Sequence, residues 1–340
     1  MNAPASMTPA APRIAVIVPA YGVAQLVGQA LASVLTQTFA EWECWVVDDG
    51  APDGVAEAVA PYLVDPRVRL LETDHGGVSR ARNRAISRTR APYVALLDGD
   101  DLLRPRHLER MVAALDAEPE ARLVTCDGRN FGAVPKESFC ASAMQRGHGR
   151  VRGTLGGVLD RRFAVYIGSA FRRADWERID GFDETMDHCE DFDFWVRLLL
   201  LGGHALYLDE VLGEYRVRPS SASASGEKMI RGLLLTYEKV LPRLGDRAEA
   251  AIVRAMIERR TDELEFERAV DRVLAGDTRA GLASLTHARG GDGGLAWPAA
   301  LALWKLCPAL AAPMLRRRRQ AYTRRTAERQ IAPLAAEMAA

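Results

Sequence analysis

Asp98-Gly99-Asp100-Asp101 closes an apolar run, and two carboxylates one residue apart on a turning backbone are a pattern that carries chemistry. Hard divalent cations take oxygen ligands, and Mg2+ is commonly held by one or two carboxylates together with phosphate oxygens. One acid of such a pair can meet the metal and the other a ribose hydroxyl. The same acids also suit the start of the helix that Pro105 opens, with Asp101 near its positive end. A second acidic turn, Asp48-Asp49-Gly50, ends another apolar run. A carboxylate there can accept from a base N–H while glycine turns the chain, and an ordinary Asx turn explains it as well. Arg80 and Arg82 follow Gly76-Gly77, and a guanidinium fork can grip two diphosphate oxygens. Arg84, Arg88 and Arg90 nearby equally suit a solvated helix face. Glu190 and Asp191 fall at an expected helix start, where a carboxylate either caps the helix or acts as general base toward an acceptor hydroxyl.

The elements that must position these residues follow from the apolar spacing. Short runs at 14–18, 44–47, 68–71, 93–97 and 123–126 read as buried strands. Between them, apolar positions at helical spacing predict helices near 26–35, 78–89 and 105–115. Strands alternating with helices imply right-handed crossovers and a largely parallel sheet with helices on both faces, a Rossmann-like α/β fold. Pro19-Ala20-Tyr21, Asp48-Asp49 and Asp98 to Asp101 each stand where a strand has just ended. Ligands of open α/β sheets bind outside those carboxyl ends, so three strands aim polar groups at one crevice. Beyond Gly128 the pattern loosens through a Gly/Arg-rich stretch to Gly157. Residues 163–171 and 204–208 read as further strands, and 191–201 as an amphipathic helix. A small-residue linker at 220–226 precedes a region that reads as helical. The expected organisation is a flexible leader over 1–12, a catalytic domain over 13–225 and a helical C-terminal region over 226–340.

Composition narrows the classes. The 340 residues hold 45 basic and 45 acidic side chains, and this balance argues against a general nucleic-acid binder. Residues 241–340 hold 17 basic and 12 acidic residues, a net of +5 that leaves −5 on residues 1–240. Five scattered cysteines without a CxxC pair, and no apolar leader, read as a reduced, cytoplasmic protein. With no HExxH, GxSxG, P-loop or GxGxxG behind the first strand, the zinc hydrolase, serine hydrolase, ATPase and dehydrogenase readings lose their anchors.

Taken in order, these segments resemble the family 2 glycosyltransferases, which have the A-type nucleotide-sugar fold. The residues that carry the resemblance are Val16-Ile-Val-Pro-Ala-Tyr21, Ser33-Val-Leu-Thr-Gln-Thr38, Trp45-Val-Val-Asp-Asp-Gly50, Gly76-Gly-Val-Ser-Arg-Ala-Arg-Asn83, Tyr93-Val-Ala-Leu-Leu-Asp-Gly-Asp-Asp101, Gly181-Phe-Asp-Glu184 and Glu190-Asp191. It implies that Pro19, Ala20 and Tyr21 line a nucleotide pocket, with Asp48 or Asp49 holding the base. It implies that Arg82 shapes the floor under ribose and diphosphate. Asp98 and Asp100 would fill the family's DxD motif on ribose and on a Mn2+ or Mg2+ bridging the diphosphate, with Asp101 and Glu190 as further candidates. Asp191 would be the general base of a single, inverting displacement. Two departures stand out. Arg218 occupies a place where many relatives carry His, and an arginine there can contact only phosphates. No Gln-x-x-Arg-Trp follows Asp191, which disfavours a processive polymer synthase. The implied partners are a nucleotide-diphosphate sugar, with UDP-sugar favoured, and a glycan or lipid-linked acceptor.

Residues 295–315 contain Trp297, Trp304, three prolines and a single charge, Lys305, and four arginines follow at once. The prolines argue against a clean span, so an interfacial segment on anionic headgroups competes with a buried helical hairpin or a dimer contact. The first reading makes the protein peripheral on the inner face of the cell membrane. A non-catalytic nucleotide-sugar-binding scaffold is the alternative function, and Asp98, Asp100 and Asp191 together weigh against it. A nucleotidyltransferase would need a Gly-rich basic loop after the first strand, which Pro19-Ala-Tyr-Gly22 does not provide.

Overall fold

The computed structural model describes residues 11–134, 137–218, 226–287 and 296–317. The expected leader (up to residue 10), most of the linker and the last arginines of the tail lie outside them.

In chain order the elements are β1 (Ile14–Ala20), α1 (Ala24–Leu35), β2 (Trp42–Asp48), α2 (Val55–Val59), β3 (Val68–Glu72), α3 (Val78–Ile86), β4 (Tyr93–Leu96), β5 (Leu102–Leu103), α4 (His107–Ala117) and β6 (Ala121–Gly132). They continue with β7 (Ser138–Phe139), β8 (Val151–Gly153), α5 (Leu155–Leu159), β9 (Ala170–Arg172), α6 (Arg173–Arg178), α7 (Glu190–Leu200) and β10 (His204–Val217). Four helices close the order: α8 (Gly226–Leu244), α9 (Glu249–Leu274), α10 (Thr278–His287) and α11 (Ala296–Leu306). The sheet runs β3-β2-β1-β4-β9-β6-β10-β5. Its first four strands are parallel, as is the long β6–β10 ladder, while the short β9 runs against both β4 and β6.

Alternation along β1 divides the core. Ile14, Val16 and Val18 face α1, α2 and α4, whereas Ala15 and Ile17 face α3, α7 and α8. Such two-sided burial explains why β1 reads as a continuous apolar run. The second core does not stop near residue 225. Leu233, Tyr237, Val240 and Leu244 of α8, and Val253 and Met256 of α9, pack with Phe192, Phe194 and Trp195 of α7. A third, smaller cluster joins Phe266, Val270 and Val273 of α9 to Leu282, Leu285, Trp304, Ala311 and Leu315.

Three expectations differ from what forms. Residues 163–169 make no strand, and pairing begins only at Ala170. Tyr166 turns inward there, where it lies against Gly128, Gly168 and Gly213. The helix expected to reach residue 89 ends at Ile86, since Thr89 is buried with its hydroxyl on the Glu43 carboxylate. Both β6 and β10 run well past their apolar halves, because each finds its hydrogen-bond partners in the other.

Candidate active site

The carboxyl ends of β1, β2 and β4 meet at one edge of the sheet. Ala20 lies beside Asp48 in the β1–β2 register, and the Asp49 N–H donates to the Ala20 carbonyl at 3.2 Å. The Leu97 N–H donates to the Ile17 carbonyl at 3.1 Å and carries the chain into Asp98. A Cβ on Gly99 would stand 3.1 Å from the Pro19 carbonyl oxygen and 3.0 Å from Val23, so glycine lets the acidic loop lie against the end of β1. The three groups expected at one crevice therefore share it.

Each acid has a distinct setting. Asp48 accepts from the Ala51 N–H, three residues on, at 2.8 Å, one residue further than the Asx turn would reach. Asp49 is buried and accepts from the N–H groups of Gly76 and Gly77 at 3.0 and 2.8 Å, tying β2 to the loop that starts α3. It also pairs with His75 at 2.9 Å. His75 stacks on Tyr21 with ring centroids 4.3 Å apart, and Tyr21 is 50% exposed. Sequence reasoning missed His75; its place after β3 and before Gly76-Gly77 is the signal that could have found it.

Arg82 reaches the centre. It is 1% exposed, and its two terminal nitrogens bridge Asp98 at 2.8 Å and Glu190 at 2.7 Å. Burial works against its charge, yet the carboxylates of Asp98 and Glu190 overcome that and hold it cationic. One buried guanidinium thus joins the β4 loop to the start of α7, which settles Arg82 as an interior residue instead of a solvated one.

Asp100 pairs with Arg218 at 2.7 Å. Burial and the Asp98 charge push its carboxyl up, against the pull of Arg218. Asp101 is pushed further up by burial and by both neighbouring acids. Its Oδ1 accepts from the Arg216 N–H at 2.7 Å, while its buried Oδ2 has no hydrogen-bond partner. The Arg216 Nε donates to the Asp100 carbonyl at 2.7 Å, so β10 fastens the acidic loop from its other side.

Glu190 and Asp191 open α7, as their spacing predicts. Asp191 accepts from the Phe192 N–H at 2.8 Å. Its carboxyl is pushed up to about 6 by burial and by the Glu190 charge, with Arg82 pulling the other way. Cys189, before it, adopts a left-handed φ of 60°, an uncommon conformation for a side-chain-bearing residue. A Cβ on Gly232 of α8 would lie 2.4 Å from the His188 carbonyl oxygen, so α8 closes directly on this turn. Lys239 of α8 then bridges Asp183 at 2.5 Å and the fully buried Asp193 at 2.7 Å. Arg197 pairs with Asp193 at 2.6 Å and donates to the Ile179 and Gly181 carbonyls. It serves the architecture around α7.

Among the described residues, no three His, Cys, Asp or Glu side chains gather as a metal centre. The Asp98 and Asp100 carboxylates nevertheless fit Mg2+ or Mn2+. They are hard oxygen donors in an electronegative cluster, and such a cation draws the rest of its shell from phosphate and water.

A parallel sheet that ends in an Asp-x-Asp loop, faced by an acidic helix start, defines a class: proteins of the A-type nucleotide-sugar glycosyltransferase fold. Residues 15–172, just under half of the chain, match the model described as Glycosyl transferase family 2, and over that segment the chain is similar to this family. It is 31% identical over 220 residues to Uncharacterized protein y4gI of Sinorhizobium fredii, across 63% of this chain and 23% of that one. It is 26% identical over 245 residues to the Putative teichuronic acid biosynthesis glycosyltransferase TuaG of Bacillus subtilis, across 69% of this chain and 90% of that one. The chain spans less than a quarter of the length of the first curated relatives it matches. Two solved structures share the fold. One is S. aureus TarS 1-349 in complex with UDP (TM-score 0.58, 19% identity, 79% of this chain and 82% of that one). The other is the mannosyltransferase PcManGT of Pyrobaculum calidifontis in complex with GDP-Man and Mn2+ (TM-score 0.59, 22% identity, 90% and 84%).

Proposed function

We propose that the chain is an inverting, metal-dependent glycosyltransferase of cell-surface polysaccharide synthesis. It moves one sugar from a nucleotide-diphosphate donor to a hydroxyl of a glycan or lipid-linked acceptor, working peripherally at the inner face of the membrane. The observation that supports this reading is the Arg82 bridge between Asp98 and Glu190, which ties the acidic loop after β4 to the start of α7, next to Asp191.

In this reading Pro19, Ala20 and Tyr21 wall the nucleotide, with the base toward Asp48 and Asp49. Asp98 takes the ribose, and Asp100 holds Mn2+ or Mg2+ with the diphosphate. When bound, the cation supplies positive charge to the departing diphosphate. Arg218 lies against Asp100, within reach of the same phosphates. Asp191 removes the proton from the acceptor hydroxyl. A carboxyl that titrates near 6 suits that task, being ionised at neutral pH yet more basic than an ordinary carboxylate. One base and no nucleophile correspond to a single displacement with inversion.

A UDP-sugar is the favoured donor. TarS has been solved with UDP and with UDP-GlcNAc, whereas PcManGT carries GDP-Man. Teichuronic acid biosynthesis, in the name of TuaG, supports a surface-polysaccharide role. The test is calorimetric titration of UDP, GDP and dTDP, each with and without Mn2+. Metal-dependent binding of one diphosphate is the expected result, and binding of none would return the chain to the scaffold reading.

A further inference from the structure

The third apolar cluster leaves part of the C-terminal hairpin uncovered. Trp304, Ala311 and Leu315 face inward onto α9 and α10. Trp297 meets Phe266 at 5.3 Å and Trp304 at 5.5 Å between ring centroids, so both tryptophans are committed to packing. Leu303, Leu306, Leu310 and Met314 are 41%, 82%, 43% and 41% exposed, and the Met314 sulfur accepts from the Trp304 Nε1–H at 3.2 Å. Leu303 and Leu306 close α11, and Leu310 and Met314 follow beyond the break at Cys307, so the four stand on either side of one turn. Of the ten large hydrophobic side chains exposed among the described residues, these four fall within twelve positions. Such concentration marks an interaction surface, since scattered exposed hydrophobics are ordinary.

Charge identifies what covers it. No acidic residue occurs between Asp292 and Glu328, whereas Lys305 and six arginines (316–319, 324 and 325) do. Arg316 and Arg317 stand exposed just beyond Met314. A second copy docked on this face would bring two basic runs together. An anionic bilayer surface instead accepts the leucines at its acyl boundary and the arginines at its headgroups. No described helix is long and apolar enough to cross a membrane.

We propose that the exposed Leu303, Leu306, Leu310 and Met314, with Arg316 and Arg317 beside them, dock the protein on an anionic lipid surface. The inference deepens, and rests on, the peripheral placement proposed above. It also assigns the tryptophans of this segment to the protein interior and the leucines to the lipid.

Vesicle flotation of the full chain tests it, using phosphatidylcholine alone and phosphatidylcholine with about one-third phosphatidylglycerol. The expected result is binding to the anionic vesicles only, weakened as salt rises from about 0.1 M to about 1 M. A Leu306→Glu/Leu310→Glu variant should bind at least roughly tenfold more weakly, and Arg316→Ala/Arg317→Ala about tenfold more weakly. Both side chains of the leucine variant are outward, so its thermal unfolding and nucleotide titration should match the parent. Vesicle binding that survives the leucine variant overturns the proposal. So does a concentration-dependent dimer, seen by light scattering, that the same variant dissolves. Nucleotide titration in parallel separates this failure from failure of the glycosyltransferase reading, because the donor crevice does not include these residues.

Discussion

Replacing Asp191 by Asn separates two properties that the carboxylate holds in opposition. Burial and the Glu190 charge raise its pKa from the ordinary 3.8 to about 6. In the unfolded chain the carboxyl ionises near 3.8, while in the folded protein it resists ionising until about 6. Folding therefore incurs no penalty from this group at lower pH; the penalty grows between these values and is complete above the upper one. The interval is roughly two pH units at about 1.4 kcal/mol each, so the full penalty is at most about 3 kcal/mol. Asparagine keeps the oxygen that accepts from the Phe192 N–H and removes the charge. Urea unfolding at pH 4 and pH 8 is the assay. The variant should match the parent at the lower pH and be more stable at the higher, by up to about 3 kcal/mol or about 5 °C. Transfer should be abolished with nucleoside-diphosphate affinity retained, and in the parent transfer should rise as pH passes about 6. A variant no more stable than the parent at pH 8 refutes burial as the origin of the raised pKa. Collapse of nucleotide binding refutes the general-base role.

Arg82→Met removes the guanidinium shared by Asp98 and Glu190, leaving two part-buried acids without it at a cost of about 2–3 kcal/mol in urea unfolding at neutral pH. Because Arg82 pulls the Asp191 carboxyl down, any activity left in this variant should shift its rising limb to higher pH. Arg218→Ala frees the Asp100 carboxylate. Manganese affinity without nucleotide, read by electron paramagnetic resonance, should rise about fivefold, the equivalent of ~1 kcal/mol for a partly exposed pair. Diphosphate affinity in the presence of Mn2+ should fall in the same variant, since a phosphate contact is lost.

The parallel half of the fold was legible because β1, β2 and β4 are buried on both faces and stop at turn residues. Their polar ends then pointed to the crevice by the general geometry of α/β sheets. The second half of β10 was not legible: Glu214, Tyr215 and Arg216 carry no apolar signature. They form a strand because β6 lies beside them with Arg129, Asn130 and Phe131 in register. Asp49 looked like a base ligand or an Asx turn, yet its oxygens hold backbone N–H groups 27 and 28 residues away. No local pattern reports such a contact. Arg82 shows the same limit, since its partners lie 16 and 108 residues distant and only their convergence makes an arginine on α3 interior. Residues 163–169 misled in the other direction, as an apolar run that fills space around glycines without joining a ladder.

The pairing of β10 with the acidic loop also sets a clock. Among the described residues, the Asp101 carboxylate takes its backbone donor from Arg216, 115 residues later in the chain, and the neighbouring β5 pairs with β10. On a ribosome adding about 5–20 residues per second, the loop waits roughly 6 to 20 seconds for the strand that fastens it. The earlier parallel strands can assemble during that interval, but the acids cannot reach their final setting. The nascent protein therefore carries an unfastened acidic loop until translation has passed residue 217.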